Sequence, residues 1–217
     1  MFLYLIRHAE CLEQSGPQGA TDPDSPLSPI GVEQVQQTAA FLATQPITQL
    51  LSSPLLRALQ TATMLADSLG IASVRVWPEL REMWDIIYDG RGRDELQKRF
   101  PTAIFDATFD ATRFRYGGDG HETMQERAQH VLHRVMSDCP STSHIAMVSH
   151  GFAINYLIHR LLEIAPPRLH WFDHHNCGIS IFHIRPSEEQ AHYPGYPTTT
   201  VDILTLNATA HLRKVKP

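Results

Sequence analysis

The first six residues, Met1 to Ile6, form an unbroken apolar run. That pattern predicts a strand covered on both faces, as parallel strands flanked by helices are. Arg7 and His8 then fall at its carboxyl end. Beyond a Pro/Gly/Asp-rich loop from Gly16 to Pro26, Ser28 and Pro29 supply an N-cap and a first-turn proline. Val32, Val35, Ala39 and Leu42 follow at helical spacing, predicting a helix through about Thr44. Leu50 to Ser52 reads as a short strand, and Ser53-Pro54 repeats the capping signal. The next helix carries Leu55, Leu59, Ala62, Leu65 and Leu69 and stops at Gly70, with Arg57 in its first turn. Val74 to Trp77 is a further strand.

From Met83 to Gly120 the periodicity breaks into aromatic, glycine and arginine residues, with one short helical patch near Glu95 to Phe100. Such a stretch inside a regular alternation predicts an inserted cap over a site. Met124, Ala128, Val131 and Val135 restore a helix, His144 to Val148 a buried strand, and Phe152 to Leu162 another helix, which puts His150 and Gly151 in a strand-to-helix turn. Gly178 to Ile184 and Thr200 to Leu206 predict two more strands with no crossover helix between them, hence an antiparallel edge pair. The fold class is α/β: a three-layer α/β/α sandwich on a mostly parallel sheet, in one domain over 1–217 with a cap at about 83–120.

Composition narrows the partners. The 217 residues are 42% apolar and 19% charged with a net charge of -5, which gives no basis for binding nucleic acid or an anionic membrane. A small partner is expected; oligomeric state does not follow from the chain. Cys11, Cys139 and Cys177 lie far apart without CxxC spacing, and Met1 to Ile6 is too short for a signal-peptide core, so a reducing, cytoplasmic location is expected.

In open α/β sheets ligands bind beyond the carboxyl ends of the strands. Arg7 with His8, Arg57, Glu82 and His150 all arrive there from separate segments. Two arginines and two histidines make an anion site with a titratable nucleophile, which suits a phosphoryl group. Asp173, His174 and His175 are adjacent and seldom converge on one ion, so no metal site is expected.

Arg7-His8-Ala9-Glu10 resembles the RHG/RHA signature of the histidine phosphatase superfamily, which includes the cofactor-dependent phosphoglycerate mutases. Leu27-Ser28-Pro29-Ile30-Gly31 is similar to its LSxxG element, Ser52 to Ala62 (SSPLLRALQTA) to its SxxxRAxQTA helix, Leu80-Arg81-Glu82 to its LxE acid motif and Val148-Ser149-His150-Gly151 to its VSHG turn. Asn176 to Ser180 resembles its late Asn-containing strand entry. Singly these are weak; in this order they are hard to reach by chance. The resemblance implies a phosphoglycerate mutase-like fold and a metal-independent, histidine acid phosphatase-type phosphomonoesterase without cofactor. In it His8 is the nucleophile that forms a phosphohistidine, Arg7 and Arg57 grip phosphate oxygens, and His150 and the Gly151 amide complete the anion site. Glu82 is the general acid, with Asp85 a competing carboxyl. Gln14 stands where the family often has a phosphate-contacting asparagine. The alternatives are a mutase-type phosphotransferase, which the poorly matching cap sequence disfavours, and a non-catalytic phosphate-binding module, which the intact set of chemical residues disfavours. Arg91, Arg93, Lys98, Arg99, Arg113 and Arg115 make the cap basic, with acidic residues interleaved.

Overall fold

The computed structural model of the protein describes residues 1–15, 24–106, 108–165, 171–185 and 201–212, with the side chains of Gln14 and Ser15 outside that description. The first apolar run becomes β1 (Phe2–Arg7), and its alternate residues serve two separate cores. Leu3 and Leu5 pack with α5 (His121–Asp138) and α6 (Gly151–Leu161), whereas Tyr4 and Ile6 pack with α2 (Pro29–Leu42) and α3 (Leu56–Leu69). A strand buried on both faces needs such a continuous apolar sequence, and two helical layers around one sheet are the result.

The sheet has the order β5-β3-β2-β7-β1-β8-β9. β2 (Gln49–Ser52), β3 (Val74–Val76), β5 (Ala103–Phe105) and β7 (His144–Ser149) run parallel with β1. β8 (Ile179–Ile184) and β9 (Val201–Ala208) form the antiparallel edge. Because β2, β7 and β1 are neighbours and parallel, their carboxyl ends open on one edge of the sheet.

Two expectations are corrected. Ser53 does not cap α3: Leu55 is its N-cap, in extended conformation, and the first helical N–H, that of Leu56, donates to Asp24 Oδ1 at 2.5 Å. Ser53 Oγ accepts from Leu55 N–H instead. The orphan amides that open a helix take whichever acceptor the fold delivers, and here it comes from 32 residues away. The segment 83–120 is also more regular than its pattern predicts. β4 (Tyr88–Arg91) and β6 (Arg113–Tyr116) make a separate antiparallel ribbon, α4 (Arg93–Arg99) lies between them, and β5 joins the main sheet at its edge. Phe105, Phe109, Phe114 and Tyr116 form a chain of ring contacts within that segment, so they pack it rather than line a pocket. A 3₁₀ turn, Pro78–Leu80, leads into the segment, and a short α1 (Leu12–Ser15) follows the His8 loop.

Candidate active site

Arg7 ends β1, Ser149 ends β7 beside it, and Ser52 ends β2 beside that. The next residue on each strand turns into the same space. His8 follows β1 and its N–H donates to Ser149 O at 2.9 Å; His150 follows β7 as the N-cap of α6; Ser53 follows β2 and leads to Arg57, the second residue of α3. His8, Arg57 and His150 are all buried, and the two imidazole centroids lie 5.0 Å apart.

The protonation of His8 follows from its two partners. Nδ1 lies 2.7 Å from the carbonyl oxygen of Ala9, which can only accept, so Nδ1 carries the hydrogen. Arg57 Nε, which can only donate, lies 3.1 Å from Nε2, so Nε2 presents its lone pair. Burial, reinforced by the Arg57 and Arg7 cations, holds the His8 pKa well below that of an ordinary histidine, and the ring is neutral at pH 7.

Arg7 donates from Nη1 to His174 O at 2.5 Å, which anchors one side of its fork, and its buried Nε has no hydrogen-bond partner among the described residues. His150 shares a hydrogen bond of 2.8 Å between Nε2 and Ser53 Oγ. Burial, then Arg57 and His8, keep its pKa far below the ordinary value, so His150 serves the anion site as a hydrogen-bonding group rather than as a cation. Gly151 opens α6, and the space a Cβ would take there is empty.

Glu82 reaches the same α6 terminus. Its carboxylate accepts from the N–H groups of Ala153 at 3.2 Å, Phe152 at 3.5 Å and its neighbour Met83 at 2.9 Å. Burial nevertheless raises its pKa against those bonds and against Arg57. A carboxyl whose proton burial favours, set at a helix N-terminus beside the site, is placed for proton transfer. Asp85, the competing carboxyl, is exposed. Gln14 lies in α1, and its side chain falls outside the described residues.

The loop that carries His8 is fastened by residues whose individual contacts the sequence does not disclose. Ser28 N–H donates to Glu10 O at 3.0 Å, and Ser28 Oγ donates to Glu10 Oε1 at 2.7 Å while accepting from Gly31 N–H at 3.0 Å. Gly31 touches the same loop so closely that a Cβ would stand 2.0 Å from Glu10 O. Thr61 Oγ1 accepts from Ala9 N–H at 3.1 Å, and Asn176 Nδ2 donates to His8 O at 3.0 Å. Each of these partners lies inside a short motif noted in the sequence, so the motifs converge on the residues around the imidazole. Among the described residues no group of three or more His, Cys, Asp or Glu side chains is placed to hold a metal. His174 binds Arg7 through its carbonyl and Ser180 through its ring.

A family model of the histidine phosphatase superfamily (branch 1) matches residues 3–194. The chain belongs to the histidine phosphatase superfamily. A curated relative, the probable phosphoglycerate mutase GpmB of Yersinia pestis (strain Pestoides F), is 30% identical over 184 residues and covers 82% of each chain. Among solved structures, a mutant phosphoserine phosphatase of Entamoeba histolytica in complex with phosphoserine is 26% identical, with a TM-score of 0.66 over 98% of this chain and 99% of that one. The same organism's phosphoserine phosphatase in complex with 3-phosphoglyceric acid is 28% identical, with a TM-score of 0.65 over the same shares. The fold is that of phosphoglycerate mutase-like proteins, and the relatives and structural neighbours are phosphatases or phosphotransferases.

Proposed function

We propose that the protein is a phosphatase that hydrolyses a phosphate monoester through a phosphohistidine on His8. The observation that carries this reading is the tautomer of His8: a neutral ring with Nδ1–H held by Ala9 and the Nε2 lone pair turned towards Arg57. Uncatalysed hydrolysis of phosphate monoesters is so slow that enzymes accelerate it by up to ~10²¹-fold, so charge neutralisation and alignment must dominate.

On binding, Arg57 leaves Nε2 for a phosphoryl oxygen, and Arg7 grips the same group with its planar fork. His8 Nε2 attacks phosphorus, the N–P bond forms as the P–O bond to the leaving oxygen breaks, and Glu82 gives its proton to that oxygen. Water then attacks the phosphohistidine, Glu82 takes a proton from it, and inorganic phosphate leaves with His8 restored. His150 and the α6 amides hold the phosphoryl oxygens from the other side. The proposal needs no metal, because two guanidinium groups supply the positive charge. Within 83–120 the β4–β6 ribbon and α4 serve as the cap, while β5 belongs to the main sheet; the cap is tied down where Arg91 Nη1 meets the buried Asp24 carboxylate at 2.6 Å. That pairing, and those of Arg91 with Glu95 and Arg93 with Asp94, temper the basic character of the segment. The substrate is a small phosphorylated metabolite or a phosphorylated side chain. No helix among the described residues is long and apolar enough to cross a membrane, and a cytoplasmic location fits three buried free cysteines.

A second reading, mutase-type phosphotransfer, is favoured by the 30% identity to the Yersinia relative. Incubation with p-nitrophenyl phosphate and a panel of phosphorylated metabolites, with chelator present, tests both. Release of inorganic phosphate that survives chelation supports the phosphatase; bisphosphate-dependent isomerisation of a phosphoglycerate without net phosphate release supports the mutase.

A further inference from the structure

Glu82 sits on a stretch without regular structure, between the 3₁₀ turn and β4, where a carboxyl would ordinarily wander. Its chain neighbours on both sides are instead fastened to two charged side chains from elsewhere, Arg127 on α5 and Asp119 just ahead of it. Both are over nine-tenths buried, at 8% and 4% exposure. They pair at 2.9 Å between Arg127 Nη1 and Asp119 Oδ1. Arg127 Nη2 donates to the carbonyl of Arg81, directly before Glu82, and to that of Glu79 at 3.2 Å; its Nε reaches Glu79 O at 3.3 Å. Asp119 Oδ2 accepts from Trp84 N–H at 3.3 Å, and Asp119 N–H donates back to Trp84 O at 2.9 Å. Arg81 Nη2 closes the cluster on Asp119 Oδ1 at 3.0 Å.

Glu79, Arg81 and Trp84 are thus held by one ion pair, leaving Glu82 bridged between fixed points with its carboxyl against α6. A buried ion pair is weak evidence for stability, since desolvation offsets most of its attraction. This pair spends its hydrogen bonds on backbone carbonyls and an amide of a single short segment. We propose that Arg127 and Asp119 are positioning residues for the general acid, fixing the Glu82 carboxyl opposite the leaving-group oxygen. The proposal rests on the reading of Glu82 as that acid. The charged and titratable groups around Glu82 are Arg7 from β1 with His8 after it, Arg57 from α3, Arg127 from α5 and the His150 turn of α6. Arg127, pulled down to about 10 by burial, stays protonated at neutral pH.

The test is the dependence of kcat/KM, which reports the phosphorylation step alone, on leaving-group basicity, measured with a series from p-nitrophenyl phosphate to phenyl phosphate. A good leaving group departs without a proton, while a poor one needs the acid. Glu82→Gln should lose activity chiefly on the poor leaving groups. Asp119→Asn and Arg127→Lys, which keep volume, should show the same selective loss, about tenfold greater on phenyl than on p-nitrophenyl phosphate, within the roughly hundredfold that a 1 Å misplacement can cost. In the Glu82→Gln/Asp119→Asn double variant the selective loss should be no greater than in Glu82→Gln alone. Equal loss of Asp119→Asn on every substrate, or full additivity in the double variant, assigns the pair a merely structural role and overturns the proposal. A Glu82→Gln protein with an unchanged leaving-group dependence overturns the underlying reading of Glu82 instead.

Discussion

Arg57 donates its Nε hydrogen to Nε2 of His8 across 3.1 Å, so the guanidinium meets the very lone pair that the proposed chemistry needs. A phosphate dianion is a stronger acceptor for Arg57 than a neutral imidazole, so in the proposed mechanism a phosphoryl group would draw the guanidinium away and free the nitrogen in the same step. The hydrogen bond from Nδ1 to Ala9 O keeps the ring from turning meanwhile.

Arg57→Lys keeps the positive charge but loses both the Nε bond to His8 and the planar fork. The expected outcome is a fall in kcat of about 10²–10³-fold, the cost of removing one preorganised donor from a developing charge. Steady-state kinetics with an aryl phosphate measures it. A lysine variant with wild-type kcat would mean that only net charge matters at this position.

Gly31→Ala should disturb the His8 loop from outside the site, because the added Cβ would meet the backbone oxygen of Glu10 at 2.0 Å and backbone cannot give way cheaply. Overpacking of this kind costs about 1–3 kcal/mol. Ser28→Ala removes both the α2 cap and the bond to Glu10, with an expected loss of about 1 kcal/mol. Urea denaturation gives both values, and unchanged midpoints would show that the loop does not depend on α2.

Acid should weaken the fold earlier than carboxylate titration alone requires. His8 and His150 are buried neutral, with pKa values held well below the 6.5 of the unfolded chain, chiefly by desolvation. Below 6.5 the unfolded state therefore binds protons that the folded state refuses. Stability is complete above that pH and falls as the pH drops, by about 1.4 kcal/mol per pH unit for each histidine. Denaturant titrations at pH 7.5 and 5.5 should show the loss, and His150→Asn should reduce it. A wild-type stability that is flat over this window would contradict the neutral pair.

Long apolar runs and strongly periodic helices were legible from the chain: β1, β7, α2 and α6 lie within one or two residues of the expected bounds, because each buries a face that the sequence must spell out. Strands of three or four residues in the 83–120 segment were not legible, since so short an element shows no period and its Gly and Arg residues read as loop. Arg7, His8, Arg57, Glu82 and His150 were named as candidates from motif and position, and the structure brings them to one edge of the sheet. What holds them was hidden. Asp24 caps α3 across 32 residues, and Arg127 reads as an ordinary polar position on α5 until its carbonyl partners are seen. Long-range polar contacts leave no local pattern.

The account turns on whether His8 carries the phosphoryl group. Wild-type protein mixed with substrate, quenched within milliseconds and digested under alkaline conditions should yield one phosphorylated peptide, spanning His8, whose phosphoryl group is lost in acid. The His8→Ala protein, folded to the same stability at pH 7.5, should yield none. Turnover by wild type with no phosphoryl group on His8 at any quench time, or turnover that persists in His8→Ala, would contradict the account.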